Sequence, residues 1–283
     1  MQLTDFYYLI TSEQRARRYL SKKCLKNGHR FCPRCKYRKF YRLADKRRRC
    51  CRCRYTFHDF SGRWISHLRF SCIQWLSIVK LFELELTARK VAQQMNLAYN
   101  TAYKAFQTIR YAILAHANDG PELLSGEVEL DESYFGGRRK GKRGRGASGK
   151  VPVFGILERH GKVRVTVVKN VSAETLLELT VKCVRRGSIV YTDKFKSYDS
   201  LMFCGYRHLK VDHSKRFASG KVYINGLEGF WSWAKERLIK YHGVSKSNFP
   251  LYLKELEFRY NNRNRNLFDM IVNYLCDLVP ELE

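Results

Sequence analysis

The chain has 283 residues, of which 45% are hydrophobic and 14% aromatic, and a formal net charge of +28. This apolar content is sufficient for a folded core, so the composition excludes a chain that is disordered throughout. The excess of positive charge favours a polyanionic partner such as nucleic acid, and the length predicts two or three domains.

The first residues lack the basic segment and apolar run of a secretory signal, and every apolar stretch is too short for a membrane span. We therefore expect no membrane partner and a location with the DNA or RNA that the chain binds. That location is the cytoplasm, in association with the nucleoid, in a bacterium and the nucleus in a eukaryote. Ten cysteines in such a compartment favour metal ligands and buried thiols over disulfides.

Two C-x-x-C pairs lie close together in the N-terminal region, at Cys32/Cys35 and Cys50/Cys53. Such pairs turn two thiolates onto one ion, and two pairs complete the tetrahedral site of a zinc ribbon. Since four thiolates leave no position for water, the zinc should serve folding and not chemistry. Cys51 adjoins Cys50 and could replace it as the ligand, so both alternatives stay open.

This first domain, predicted to cover residues 1–62, is strongly basic. Residues 1–60 contain 18 Lys or Arg against 4 Asp or Glu, a net charge of +14. A small basic module of this kind is suited to contact the phosphate backbone of DNA, although a zinc ribbon can also bind protein.

The second domain, predicted to cover residues 63–120, has the apolar periodicity of helices. Thr87 can cap a short helix, a turn follows at residues 95–97, and another helix begins near Asn100 or Thr101. A helix-turn-helix would present Asn100, Thr101 and Lys104, together with Tyr99, at the start of its second helix, where base edges are read. Many other helical hairpins share this pattern.

The third domain, predicted to cover residues 121–283, opens with a strand in residues 127–137. Side chains alternate along a strand, so Glu127, Glu129 and Asp131 share one face while Val128 and Leu130 share the other. Two interpretations compete for this acidic face: a solvated edge strand, or an active site with Asp131 at its centre.

A basic segment rich in glycine follows this strand. Placed beside carboxylates, it is suited to hold a phosphate backbone. Its candidate DNA-binding residues are Arg138, Arg139, Lys140, Lys142, Arg143 and Arg145.

The remaining pattern predicts strands at residues 151–157, 163–168, 188–193 and 208–211, and a helix at residues 225–239. The order is three strands, helix, strand, helix, strand, helix. Three hairpin-linked strands followed by strands that alternate with helices predict a mixed sheet, in an α/β fold.

Three acids from separate elements can form a metal site: Asp131, Asp193 and Glu228. Hard oxygen ligands suit Mg²⁺ or Mn²⁺, and two such ions can activate a water or hydroxyl for displacement at phosphorus. Lys235 lies seven residues after Glu228 and therefore on the same side of the predicted helix.

Three segments together resemble the insertion-sequence DDE transposases with an N-terminal zinc ribbon, an ISXO-like group related to the Merlin transposases. They are residues 130–137, Tyr191-Thr192-Asp193, and residues 225–231 with Lys235. The resemblance extends from the first cysteine pair to the final helices. It implies an RNase-H-like catalytic domain and a polynucleotidyl transferase that cuts DNA at the element ends in a metal-dependent reaction and transfers the 3′ hydroxyl to target DNA.

The resemblance also implies roles for individual residues. Asp131 and Asp193 correspond to the first two metal ligands, and Lys235 would contact DNA near the scissile phosphate. The group uses Asn, His or Glu as its third residue, so Asn225 competes with Glu228, which we favour because a carboxylate binds the ion better. His208 or His213 would line the site. Cleavage of paired ends implies a homodimer or a larger homo-oligomer on double-stranded DNA.

Two alternatives remain from other functional classes. An RNase-H-like nuclease such as a resolvase would cut DNA without joining it. A non-enzymatic zinc-ribbon and helix-turn-helix regulator would bind DNA and would not need the three acids.

Overall fold

A computed structural model describes residues 1–118, 122–136, 150–193, 204–211 and 224–280. The chain divides into two compact units. The first unit comprises Met1–His116 with Asn262–Glu283, and the second comprises Ala117–Asn261.

The bounds of the regular elements follow the sequence patterns closely. Among the described residues the α-helices are α1 (Leu3–Leu9), α2 (Glu13–Lys23), α3 (Cys72–Glu83), α4 (Ala88–Gln94), α5 (Tyr99–Asn118), α6 (Ala173–Cys183), α7 (Asn225–Ile239), α8 (Phe249–Asn261) and α9 (Leu267–Cys276). The strands are β1 (Phe40–Arg42), β2 (Arg48–Cys50), β3 (Thr56–Phe57), β4 (Glu127–Phe135), β5 (Val151–Glu158), β6 (Val163–Val167), β7 (Ile189–Asp193) and β8 (Arg207–Val211). The helix predicted between β7 and β8 falls at residues 194–203, outside the described residues.

Between α2 and α3, the first unit contains a three-stranded antiparallel sheet in the order β1-β2-β3. Its small core contains the buried residues Cys32, Cys50 and Phe57, with Phe40 and Tyr55 packed against them. The two cysteine pairs thus meet at a sheet too small to bury much apolar surface. A structural metal commonly compensates for a core of this size.

α9 contributes an apolar face to the helical part of the first unit. The buried face of α9 consists of Phe268, Ile271, Val272, Leu275 and Cys276, and the helix lies against α2 and α3. The catalytic domain predicted from the sequence extends to residue 283. The structure differs, because this apolar face groups Asn262–Glu283 with the N-terminal unit.

The second unit is built on a five-stranded mixed sheet in the order β6-β5-β4-β7-β8. β4, β5 and β6 are antiparallel neighbours, whereas β7 runs parallel to β4, and β8 parallel to β7. Three hairpin-linked strands continued by parallel strands form the mixed sheet that was predicted, so the α/β class with a mixed sheet is confirmed.

Helices cover both faces of this sheet. Val128 and Leu130 of β4 pack in one core with Leu176 and Cys183 of α6. On the opposite face, Phe135 of β4 packs with apolar residues of α7 and α8. β4 is therefore the central strand, and its acidic residues cannot be explained as a solvated edge.

Among the described residues, no helix is both long enough and apolar enough to cross a lipid bilayer.

Candidate active site

The parallel pairing of β4 and β7 places two predicted acids side by side. The register pairs Val128 with Val190 and Glu129 with Tyr191. Asp131 and Asp193 each lie two residues further along, so they reach the same level on adjacent strands. The negative charge of Asp193 contributes to raising the pKa of Asp131. The structure thus brings the first two predicted ligands together.

The carboxyl group of Asp131 has an unusual environment. Burial raises its pKa to about 7, and the charges of Glu132 and Asp193 act in the same direction. The indole Nε1–H of Trp231 donates a hydrogen bond to Oδ2 of Asp131 at 3.0 Å, which lowers the pKa and orients the carboxylate. A bound cation would resolve the same electrostatic conflict.

Trp231 can reach Asp131 because a glycine lies opposite Asp131. Gly155 of β5 pairs with Asp131 across the sheet. A Cβ atom at Gly155 would lie 2.5 Å from Cζ2 of the Trp231 ring. Only glycine leaves room for the ring, so this position determines how closely α7 approaches the acidic strand.

α7 carries the remaining candidates on one stripe. Glu228, Trp231 and Lys235 recur at helical spacing, with Trp231 buried and Glu228 and Lys235 exposed. Although much of the Lys235 side chain is exposed, desolvation of its ammonium group lowers the pKa, and the charge of Asp131 opposes this shift. The ammonium lies 5.6 Å from the centre of the Phe135 ring. Asn225 is the exposed first residue of the helix.

In the part of the chain that the structure describes, four cysteines form a group of metal-binding side chains with donor atoms within 4.8 Å of one another. The three acids are not that close together. Asp131 and Asp193 are neighbours, and Glu228 stands one helical turn before the tryptophan that contacts Asp131. The donor set of hard carboxylate oxygens fits Mg²⁺ or Mn²⁺.

A buried network beside Asp131 was not assigned from the sequence. Glu129 is 1% exposed, and its carboxylate accepts hydrogen bonds from Arg159 Nε at 3.1 Å and from the backbone N–H of Leu227 at 2.9 Å. Burial raises the pKa of Glu129, while these donors lower it. Its shared face with Asp131 was the one available signal, since its partners are distant in sequence.

His208 was expected to line the site. Its Nε2 lies 2.8 Å from the hydroxyl of Thr192. Because side chains alternate along β7, Thr192 and His208 face away from Asp193. The other histidine considered, His213, lies outside the described residues.

The predicted DNA-binding residues divide into two groups. Asn100 and Lys104 are exposed and Thr101 is half-buried in the first turns of α5. α4 and α5 are joined by a turn at residues 95–98, as the helix-turn-helix pattern predicted. The six basic residues of segment 138–145 lie outside the described residues.

The four predicted zinc ligands Cys32, Cys35, Cys50 and Cys53 form a compact cluster. The sulfur atoms of Cys32 and Cys53 are 3.6 Å apart, and those of Cys35 and Cys50 are 3.5 Å apart. Four thiolates at these distances fit a tetrahedral Zn²⁺. Cys50 is buried in the cluster while Cys51 is exposed, which favours the first of the two ligand sets.

Comparisons with known proteins match both units. Residues 123–261 match the family model of the ISXO2-like transposase domain, and residues 11–56 match that of a transposase zinc-ribbon domain. An uncharacterized transposase-like protein of Haemophilus influenzae is 48% identical over 101 residues, which are 36% of this chain and 82% of that protein.

Similarities to solved structures are more distant. A chain of the Mos1 strand transfer complex has 11% identity and a TM-score of 0.32, over 71% of this chain and 74% of its own. A chain of the simian T-cell lymphotropic virus intasome has 14% identity and a TM-score of 0.32. The match covers 63% of this chain and 64% of the intasome chain. The family matches and the bacterial relative carry the assignment: the chain belongs to the ISXO2-like transposase family, with the transposase zinc ribbon at its N-terminus.

Proposed function

We propose that this chain binds the terminal repeats of an insertion sequence, cleaves the DNA there in a metal-dependent reaction, and joins the 3′ ends to target DNA. One observation carries the proposal. Asp131 and Asp193 lie at the same level on adjacent parallel strands, with Asp131 half-buried and hydrogen-bonded by Trp231 of α7.

In this proposal Asp131 and Asp193 hold Mg²⁺ or Mn²⁺, with Glu228 as the third ligand and Asn225 as its competitor. Held by these residues, such ions would supply the activation of a water or a 3′ hydroxyl and the stabilisation of the leaving oxygen at phosphorus. Trp231 orients the Asp131 carboxylate through its indole N–H. Lys235 places a positive charge near Asp131, where it would attract the scissile phosphate.

DNA recognition is assigned to the first two domains, residues 1–62 and 63–120. The net charge of +14 in residues 1–60 supplies phosphate contacts, and Asn100, Thr101 and Lys104 supply base contacts from α5. The basic segment that includes Arg138 and Arg145 would hold DNA near the carboxylates. Cleavage of two element ends requires at least two active sites, so we propose a homodimer or larger assembly on DNA.

Cleavage and joining of labelled DNA test this function. Duplexes that carry the ends of the element encoding this chain are incubated with Mg²⁺ and a supercoiled target plasmid. The wild type should nick its own ends and produce joined products. Asp131→Asn and Asp193→Asn keep the side-chain shape but remove charge, so cleavage should fall about a thousandfold, a barrier increase of several kcal/mol. Glu178→Gln, on α6 across the sheet, is the matched control and should cleave as the wild type does.

The outcomes separate the alternatives. Cleavage without any joined product would favour a nuclease such as a resolvase. Specific binding by the wild type without cleavage, unchanged by Asp131→Asn, would favour a non-enzymatic regulator. A comparison of Glu228→Gln with Asn225→Ala then decides the third ligand, since the ligand variant alone should lose cleavage.

A further inference from the structure

Glu129 is a buried carboxylate that anchors the start of α7 from a neighbouring strand. The residue before α7, Ile224, has no side chain that can cap the helix, and no side-chain cap is present there. The Glu129 carboxylate takes this place, because it accepts the N–H of Leu227 at 2.9 Å and is also hydrogen-bonded by the backbone of Gly226. A carboxylate at a helix N-terminus is favourable both as an acceptor and through the helix dipole.

Arg159 holds Glu129 in this position. Its Nε donates to Glu129 at 3.1 Å, and its Nη1 donates to Glu127 at 2.6 Å. The guanidinium lies 3.7 Å from the centre of the Tyr191 ring, and the Tyr191 hydroxyl donates to Glu127 at 3.0 Å. The network therefore joins β4, the end of β5, β7 and the first turn of α7.

The close approach of α7 to Glu129 depends on a glycine. A Cβ atom at Gly226 would lie 2.9 Å from Oε2 of Glu129 and 2.6 Å from Cδ2 of Leu157. By contrast, a Cβ at Gly229, one turn later, would meet nothing within 4 Å. The two glycines thus provide a matched pair on the same helix.

This anchor lies two residues before Asp131 on the same strand and on the same face. α7 then returns to that strand through Trp231, which contacts Asp131 at 3.0 Å. Glu228 lies between these two contacts on α7, and Lys235 follows one helical turn after the second. A buried ion pair adds little net stability compared with packed apolar groups. We therefore expect the pair of Glu129 and Arg159 to act mainly by fixing the position of α7.

We propose that Glu129, supported by Arg159, is a positioning residue for the DNA-cleaving site: it fixes the first turn of α7 and thereby the placement of Glu228 and Lys235 relative to Asp131. This inference rests on the proposed function for its catalytic consequence. Its structural part, the anchoring of α7, can be measured without any substrate.

The test uses the full-length chain and three variants, Glu129→Gln, Gly226→Ala and Gly229→Ala. Hydrogen exchange of the peptide that covers residues 224–231 reports the stability of the first turn. Exchange should accelerate about tenfold or more in Glu129→Gln and Gly226→Ala, because each weakens the charged hydrogen bond to Leu227. Gly229→Ala should exchange as the wild type does or more slowly. Gly226→Ala leaves the buried Arg159 paired, so it remains informative if Glu129→Gln does not fold.

Cleavage kinetics provide the second readout. In Glu129→Gln and Gly226→Ala the Kd for end DNA should stay unchanged, while the rate of cleavage at saturating protein falls about 100-fold through misplacement of α7. Glu158→Gln is a control carboxylate of the adjacent strand β5, whose oxygen accepts from Ser125, and should leave both values unchanged.

Unchanged exchange at residues 224–231 in both variants would overturn the anchoring. Faster exchange with undiminished cleavage would overturn the positioning role. If the wild type itself cleaves no DNA, the proposed function fails, and the exchange data still decide whether Glu129 anchors α7.

Discussion

The two candidate metal centres of this chain are assembled in different ways. The zinc centre is formed by two short cysteine pairs within 22 residues, and all four sulfurs lie within 4.8 Å of one another. The proposed acidic centre would take its ligands from β4, β7 and α7, so the position of its third ligand would depend on where α7 is placed. A zinc site with four thiolate ligands needs only a local turn at each cysteine pair. A carboxylate site for Mg²⁺ or Mn²⁺ needs the tertiary fold to bring together ligands that are distant in sequence.

In each unit, the carboxylate of a glutamate from another element accepts backbone N–H groups at the start of a helix, but the two glutamates differ in burial. Glu13 in the first unit accepts the N–H groups of Cys72 and Ile73 at the start of α3, at 2.7 and 3.1 Å. Glu13 is exposed, and α3 also has its own capping box through Ser71 and Gln74. Glu129 is buried and caps a helix that has no local cap. The same contact should therefore matter much more in the second unit.

The largest expected effect is loss of the zinc centre. Cys32→Ser should abolish stoichiometric zinc binding and unfold the ribbon, because a structural zinc contributes about 10 kcal/mol or more to such modules. Cys51→Ser, at the exposed neighbouring thiol, should retain zinc and melt as the wild type does. Metal content by mass spectrometry and thermal melting check both variants. Full zinc content in Cys32→Ser would contradict the four-cysteine site.

A smaller effect is expected where α7 meets the acidic strand. Gly155→Ala places a Cβ 2.5 Å from the Trp231 ring, and such overpacking typically costs about 1–3 kcal/mol. Chemical denaturation should show this loss, and cleavage should fall because Trp231 no longer orients Asp131. Unchanged stability and activity would show that the ring is not held against this glycine.

The smallest effect is a pH-dependent one at Glu13. Burial alone would raise its pKa, but the N–H groups of Cys72 and Ile73 outweigh burial and place the pKa below its usual value. A lowered folded pKa contributes stability above the unfolded pKa and loses it as the pH falls through the folded pKa. Glu13→Gln should therefore be less stable than the wild type at pH 7 by a few tenths to about 1 kcal/mol.

The difference should disappear when both proteins are melted at a pH well below the lowered pKa of Glu13 in the folded protein. If it is as large at acidic as at neutral pH, the carboxylate charge is not responsible.

Local patterns were enough to predict much of this structure. The alternation of apolar and polar residues predicted the strands, and the spacing of the cysteines predicted the four-thiol cluster. The helix at Asn225–Ile239 was predicted with its observed bounds. Asp131 and Asp193 were selected because each is an acid in a predicted strand, and the family resemblance points to the same two residues; their role as metal ligands stays a prediction. These features depend on residues that are close in sequence or on simple sheet topology.

Features that depend on distant contacts were not predictable in this way. Glu129 meets Leu227 across 98 positions, and no local pattern reveals a cap supplied by another strand. In the sequence, nothing distinguishes Gly155 from other glycines in strands; its role follows from its contact with Trp231 in the structure. α9 was assigned to the catalytic domain because its apolar face does not indicate which partner it packs against.

The central claim is that Asp131 and Asp193 together hold a divalent ion. Anomalous diffraction from crystals of the chain soaked in Mn²⁺ tests it most directly. We predict a manganese peak bound to both carboxylates, which disappears in Asp193→Asn crystals grown in the same way. Well-ordered carboxylates with no peak between them at saturating Mn²⁺, or a peak that persists in Asp193→Asn, would contradict it.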